Sequence, residues 1–246
     1  MNESQFAEIA AWISHAGLAG QDEAAMVTEF CMRLLALGLP LARGQLFIDT
    51  LHPVYAGRGY YWQAAKSATV AAEYGPAFEG EELERWRRSA FYHMIQTGEA
   101  TLRRRLTSES SAEFPFHGEL YAAGMTDYLA VIDRFGADAI MGEMDGVYSS
   151  WVSDCPQGFT DDHIAALLRL TPCFALAIKS ATLGRIAKTL VETYLGRDPG
   201  RRVLEGSITR GRSTSIEAAL WFSDLQGYTR ICDRVQPKEI IPFLND

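Results

Sequence analysis

The stretch MTDYLAVIDRFGADAIMGEMDGVYSSWV (Met125–Val152) decides the fold class of this 246-residue chain. Its two ends, Met125–Phe135 and Ala139–Val152, are rich in alternating or continuous apolar and aromatic residues, as neighbouring strands are. A turn at Asp145–Gly146 could divide the second end, because glycine adopts positive φ at little cost. These patterns predict neighbouring antiparallel strands.

The residues before this stretch predict a mixture of helices and strands. Gln21–Leu37 has apolar residues at helical spacing, and the N-terminus predicts a short amphipathic helix. Gln45–Thr50 and Tyr60–Gln63 have the composition of strands, with a turn between them at Gly57–Gly59. Glu81–Gln96 again has the pattern of a helix. The order of these elements predicts an α+β fold in which helices flank an antiparallel sheet.

This order resembles that of GAF-type sensor domains, whose central antiparallel sheet carries a ligand pocket on one face. Aromatic residues are dense between Tyr55 and Trp151, and they could form the core or line a pocket for a planar ligand. The sequence does not identify that ligand. Three histidines could contact haem or another ligand, or be surface or structural residues, and two cysteines could attach a chromophore or be packed in the core: His52, His93, His117, Cys31 and Cys155.

A long helix is predicted over Asp161–Leu195, with Thr160 as its N-cap. Two apolar runs in it have the three-and-four spacing of a coiled coil but are out of phase with each other. One interpretation is a signalling helix in a parallel homodimer, with a phase break; the other is a helix packed on its own domain. The runs are Ile164, Leu167, Thr171, Phe174, Ile178, Ala181, and then Leu183, Ile186, Leu190, Tyr194.

Composition and charge exclude several classes of protein. A formal net charge of −8 argues against a dedicated nucleic-acid binder. The acidic N-terminus is unlike a signal peptide, and no apolar stretch is expected to span a membrane. The four cysteines lack the spacing of a zinc site. We therefore expect a cytoplasmic protein with reduced thiols and no membrane span.

The C-terminal region contains a motif that suits phosphate and metal chemistry. Glu217–Phe222 predicts a short strand, and Tyr228–Arg234 and Pro237–Leu244 predict helices. Asp224, at the end of the strand, could hold Mg²⁺ through carboxylate oxygens. Gly227 would let the backbone approach a triphosphate, which the free N–H groups of the next helix would face.

These residues resemble the opening of the catalytic domain in class III adenylate and guanylate cyclases. FSDLQGYT matches the family pattern FxDxxGFT, with tyrosine for the commoner phenylalanine, and QPKEIIPFLN resembles the following segment. The resemblance implies that Asp224 and the Leu225 carbonyl bind Mg²⁺ or Mn²⁺. It places the N–H groups of four residues near the β- and γ-phosphates of ATP: Gln226, Gly227, Tyr228 and Thr229.

The resemblance also implies an activity, the conversion of ATP to cAMP and pyrophosphate by a dimer, for the parent enzyme. The family's second metal aspartate, base-recognising pair and transition-state residues would follow Asp246, so this chain alone is expected to be inactive. We predict a sensor at 1–160, a signalling helix at 161–196, a connector at 197–215 and the start of the catalytic domain at 216–246. The alternative is a non-catalytic module for small-molecule binding or dimerisation, whose aspartate is merely exposed.

Overall fold

The described residues of this computed structural model are 1–75, 80–209 and 219–245. They divide into two units, Met1–Gly206 and Ser207–Asp246. Part of the predicted connector (210–215) and the first two residues of the predicted C-terminal strand (217–218) lie outside the described residues.

The first unit is built around a six-stranded antiparallel sheet with the order β3-β2-β1-β6-β5-β4. The two strands predicted from the opening stretch are neighbours in it, and Asp127 pairs with Ser153 and Arg134 with Gly146. The α+β fold class predicted from the sequence is confirmed. The strands are β1 Arg43–Asp49, β2 Gly57–Gln63, β3 Ala68–Tyr74, β4 Thr101–Arg105, β5 Asp127–Arg134 and β6 Gly146–Ser153.

Helices cover both faces of this sheet. Their bounds are α1 Glu3–Leu18, α2 Glu23–Ala36, α3 Gly80–Arg87, α4 Ala90–Thr97, α5 Pro115–Ala122, α6 Asp161–Leu195 and α7 Arg197–Leu204. On one face, the larger core includes residues of α1, α2 and α6, and Phe30 contacts both Trp151 and Phe174 there. On the other face, α4 and α5 cover a smaller, aromatic core.

Helix α6 has the predicted bounds, and the Thr160 side chain caps it by accepting a hydrogen bond from the His163 N–H. Leu167, Phe174 and Ile178 of the first apolar run are buried in the larger core, so this run packs on its own domain. Further along, Arg185 forms an ion pair with the buried Glu23 of α2, with an Nη2–Oε1 distance of 2.8 Å.

Among the described residues, α6 alone is long and apolar enough to cross a membrane, and 44% of its most apolar 18-residue window is buried inside the protein. The expectation that no stretch reaches this length was therefore too strict. Burial against α1, α2 and the sheet explains the apolar composition, since a core helix has the same composition as a membrane span.

Three local predictions were wrong. Gly57 and Gly59 lie inside β2, not in a turn. Glycine is needed at both positions because the rings of Tyr74 and Tyr61 occupy the space into which a side chain would project. The helix expected over Glu81–Gln96 is two helices, and Ser89 caps the second. The turn before β6 lies at Gly142, which has a φ of 61°, and not at Asp145–Gly146.

Strands β3 and β4 were not predicted. Strand β3 is an edge strand with mostly exposed residues, so it lacks the apolar alternation that marks a half-buried strand. Strand β4 contains three consecutive arginines, a composition that favours a solvated surface when the sequence is read alone.

The described part of the second unit contains two short helices, α8 Tyr228–Cys232 and α9 Pro237–Asn245. Both coincide with predicted helices. Residues 219–222 form no strand, although the sequence predicted one there. Strands need a hydrogen-bonded neighbour, and the described part of this unit contains no other strand.

Candidate functional site

A fully buried histidine marks the candidate site. His117 lies in the first turn of α5 and has 0% of its surface exposed. Neither Nδ1 nor Nε2 has a hydrogen-bond partner among the described residues. Buried polar groups in folded proteins are nearly always satisfied, so such a residue requires an explanation.

The local sequence fixes where this imidazole lies. Phe114 is extended and Pro115 begins the helix, because proline lacks the N–H that the first helical turn would leave unpaired. The His117 ring then packs between Phe114, at 4.9 Å between centroids, and Tyr128 of β5, at 4.4 Å. The site therefore has aromatic walls contributed by a helix and the sheet.

The charges nearest His117 neutralise each other. Arg104 of β4 donates two hydrogen bonds to Glu113, at 2.6 Å and 2.8 Å, which holds the pKa of that carboxyl below its usual range. Burial lowers the pKa of His117 to about 4. The imidazole is therefore neutral at physiological pH, with one donor and one acceptor nitrogen.

A row of polar groups continues from this site across the sheet. Ser150 of β6 lies beside Tyr128, and its hydroxyl donates to Gln45 Oε1 of β1 at 3.2 Å. Burial raises the pKa of Tyr128. The row joins His117 to the middle strands of the sheet, on the face that α4 and α5 cover.

The same face is less deeply buried over β1, β2 and β3. Phe47 makes edge contacts with Tyr61, Tyr74 and Phe91, with ring centroids 5.5 to 6.4 Å apart. The Tyr74 hydroxyl donates to Asp49 Oδ1 at 2.7 Å, and burial raises the pKa of Asp49 to about 6. Half-buried aromatic rings thus extend the candidate surface beyond His117.

Two surface clefts lie near this face. A cleft of about 590 Å³ is lined by residues of α3 and by Pro115, two positions before His117. A smaller one of about 240 Å³ lies between the loop at 50–56 and the residues Gly142 and Glu143. The first cleft reaches Pro115, in the same helical turn as His117, but His117 itself does not line it.

On the opposite face of β4 and β5, the sheet is tied to the start of α6. Buried Asp127 accepts hydrogen bonds from Arg103 Nη2 at 2.9 Å, Arg105 Nη1 at 3.3 Å and the Phe159 N–H at 2.9 Å. Gly158 has a φ of 66°, and any side chain there would collide with Arg105 and Asp127. We call Asp127, Arg103 and Arg105 the Asp127 cluster. It holds the segment that leads into α6.

The other candidates from the sequence differ in environment. His52 stacks on Tyr55 at 3.6 Å, and His93 lies 3.9 Å from Glu99 at the surface. Cys31 is buried in the larger core, where burial raises the pKa of its thiol, so the core interpretation fits it. Cys155 is half-buried.

His117 differs from the other two histidines, but sequence alone could not separate them, because its burial depends on α5 packing against β5.

The predicted metal and triphosphate residues lie together in the second unit. Asp224 is exposed, and the Leu225 carbonyl accepts a hydrogen bond from the Tyr228 N–H at 3.1 Å. Gln226 and Gly227 form a turn, Gly227 has a φ of 81°, and α8 begins at Tyr228 followed by Thr229. No group of three or more metal-binding side chains occurs in the described parts of the chain. Within these parts, Asp224 is therefore not grouped with two further side chains of the types that bind metal ions.

The pKa of His117 leads to a prediction about stability. Its folded-state pKa, about 4, is below the unfolded value near 6.5, so the unfolded chain binds the proton more readily. Stability from this residue is complete above pH 6.5 and is lost as the pH falls towards 4, by about 3 kcal/mol. Urea unfolding at pH 7 and pH 4 should therefore show a smaller loss for His117→Leu than for the wild type.

Asp49 and Asp133 have the opposite effect, because burial raises each pKa to about 6 and the folded state gains stability as they become protonated. Only the difference between wild type and variant therefore isolates His117. His93→Leu, at a partly exposed histidine, is the control for replacing a histidine by leucine. Equal pH dependence for all three proteins would contradict the prediction.

No protein-family model and no curated protein matches this chain. It is similar to the GAF domain of a two-component sensor histidine kinase from Bacillus halodurans (14% identity, TM-score 0.44, 65% of this chain and 96% of that one). It is also similar to the phycoerythrobilin-bound GAF domain of a cyanobacterial phytochrome (13%, 0.45, 75% and 98%). The VqsR LBD domain from Pseudomonas aeruginosa is a third (12%, 0.40, 71% and 94%). Likenesses this distant carry no argument about ligand or activity.

Proposed function

We propose that the first unit is a GAF-like sensor domain that binds a small molecule on the aromatic face of its sheet. The observation that carries this proposal is His117, which is fully buried between aromatic rings with both nitrogens unpartnered in the described structure. A bound ligand would satisfy these nitrogens. Pockets of this kind are mainly apolar, with a few polar groups that orient the ligand.

The test is to detect ligands that depend on His117. Purified protein is heated with fractions of a small-molecule cell extract, and Tm is recorded for the wild type, His117→Leu and His15→Leu, whose histidine is exposed on α1. At least one fraction should raise Tm of the wild type and of His15→Leu but not of His117→Leu. If no fraction has this effect, and mass spectrometry finds no compound co-purifying with the protein, the sensor proposal fails.

We propose further that α6 transmits the signal within a parallel homodimer. Leu167 and Phe174 pack inside the domain, so the partner copy would meet the opposite side of the helix. Leu176 is 68% exposed there, and Cys173 lies one turn before it, also exposed. Light scattering should give a dimer. A thiol crosslinker should join the two copies through Cys173, and the Cys173→Ser variant should lose this crosslink. A strict monomer at high concentration would contradict the dimer.

Finally, we propose that the chain is the regulatory region of a cytoplasmic class III nucleotidyl cyclase that converts ATP to cAMP and pyrophosphate. Support comes from the FSDLQGYT sequence and from the left-handed Gly227 that precedes α8. Because the described residues contain no group of three metal-binding side chains around Asp224, we derive no catalytic step. We expect these 246 residues to make no cAMP from ATP and Mn²⁺. Turnover by this chain would contradict the expectation.

In a longer gene product, Asp224→Ala should abolish cAMP synthesis, whereas unchanged synthesis would reject the assignment of Asp224.

A further inference from the structure

We infer that the His117 site takes an uncharged, planar ring compound that carries both a hydrogen-bond donor and an acceptor, such as an aromatic amide. This inference rests on the sensor function proposed above and names the chemical class of its ligand. Three features of the described residues support it: the hydrogen-bonding capacity of His117, the balance of charge around it, and the shape of its walls.

The hydrogen-bonding requirement comes from the imidazole itself. A neutral histidine has one N–H donor and one acceptor nitrogen, and both are buried without a partner here. The two nitrogens point away from each other in the ring plane, so a single amide group pairs with one of them at a time. A primary amide carries both a donor and an acceptor, so it can pair with either nitrogen in either tautomer.

The balance of charge excludes an ionic ligand. Arg104 and Glu113 are the charged groups that act on His117, and each already satisfies the other through two hydrogen bonds. An anion or cation entering between the aromatic rings would lose its hydration and find no free counter-charge. Burying an unpaired charge is far less favourable than burying a hydrogen-bonded neutral group. The lowered pKa of His117 agrees with surroundings that disfavour charge.

The walls around the imidazole favour a flat ligand. Phe114 and Tyr128 lie against His117, and Met94 and Leu120 belong to the same buried cluster. Aromatic rings gain most from contact with another planar ring, stacked or edge-on.

Four benzene derivatives of nearly equal size separate these requirements: benzamide, benzoate, benzamidine and toluene. Dissociation constants are measured at pH 7.5 by ligand-observed NMR on the wild type, His117→Leu, His117→Gln and His15→Leu. His15 is exposed on α1, which packs on the other face of the sheet. Benzamide should bind the wild type at least tenfold more tightly than the other three compounds. His117→Leu should lose at least tenfold in benzamide affinity, while His15→Leu should keep it. His117→Gln, which retains a donor and an acceptor, should lose less than His117→Leu.

Other outcomes would overturn the inference in distinguishable ways. If benzoate or benzamidine bound as tightly as benzamide, and depended on His117, the uncharged class would be wrong while the sensor function stood. Toluene binding as well as benzamide would remove the hydrogen-bonding requirement. If none of the four bound in a His117-dependent way, the inferred class would be rejected, and the extract experiment would decide separately whether the domain is a sensor. Circular dichroism of each variant establishes that it is folded.

Discussion

Replacing Asp127 with asparagine is expected to lower the free energy of unfolding by about 3 kcal/mol, a large fraction of the stability of a typical domain. The carboxylate is buried and accepts hydrogen bonds from Arg103, Arg105 and the Phe159 N–H. Asparagine has similar size but no charge, and its NH₂ group cannot accept a hydrogen bond. Donors that now share the two carboxylate oxygens would lose their partner beside the start of α6.

Asp161→Asn is the matched control. Asp161 also forms an ion pair with Arg103, at 3.3 Å, but its side chain is fully exposed. Exposed ion pairs contribute little because water and salt screen them. Urea unfolding of the two variants should therefore show a large loss for Asp127→Asn and a much smaller one for Asp161→Asn, which also removes a favourable charge from the first turn of α6. Similar losses would mean that burial does not set the strength of this cluster.

The second large effect is expected from Phe174→Ala in α6, with a loss of about 3 to 5 kcal/mol. The Phe174 ring stacks on Phe30 at 4.2 Å between centroids, and Phe30 makes an edge contact with Trp151. Truncation would leave a cavity between α6, α2 and the sheet. The loss should appear as a lower urea midpoint with an unchanged slope, because the cavity changes stability more than the surface exposed on unfolding.

Leu176→Ala, two residues further along the same helix, is the control. Its side chain is 68% exposed within one copy, so its truncation leaves no cavity in the domain. Measured at a protein concentration that keeps the chain monomeric, it should change the unfolding free energy by less than about 0.5 kcal/mol. The pair also distinguishes the two interpretations of α6. If the run containing Phe174 formed only a dimer seam, Phe174→Ala would weaken association rather than the fold. An unchanged midpoint together with dissociation of the dimer would reject the packing described above.

Much of the fold could be predicted from local patterns. Met125–Val152 contains β5 and β6 because alternating and continuous apolar residues mark buried strands. Thr160 and the two aspartates after it mark the start of α6 because they satisfy and stabilise a helix N-terminus. These signals depend only on neighbours in the chain, so they are legible before any packing is known.

The candidate site could not be found this way. Nothing near His117 in the sequence distinguishes it from His52 or His93, because its burial and its unpaired nitrogens arise only when α5 packs on β5. The arginines of β4 similarly have the composition of a solvated run. Arg104 turns towards Glu113 and Arg103 towards Asp127 because strand residues alternate between faces, and only the sheet gives those faces their partners.

The sequence by itself determined the fold class, the bounds of the long helix and the FSDLQGYT motif, all of which depend on short-range spacing. Tertiary structure alone decided that the first apolar run of α6 belongs to the domain core and that His117 is the polar group of the aromatic face. The physical reason is that an amphipathic helix and a histidine carry the same local signal whatever covers them. Their roles follow from which surfaces the fold brings into contact.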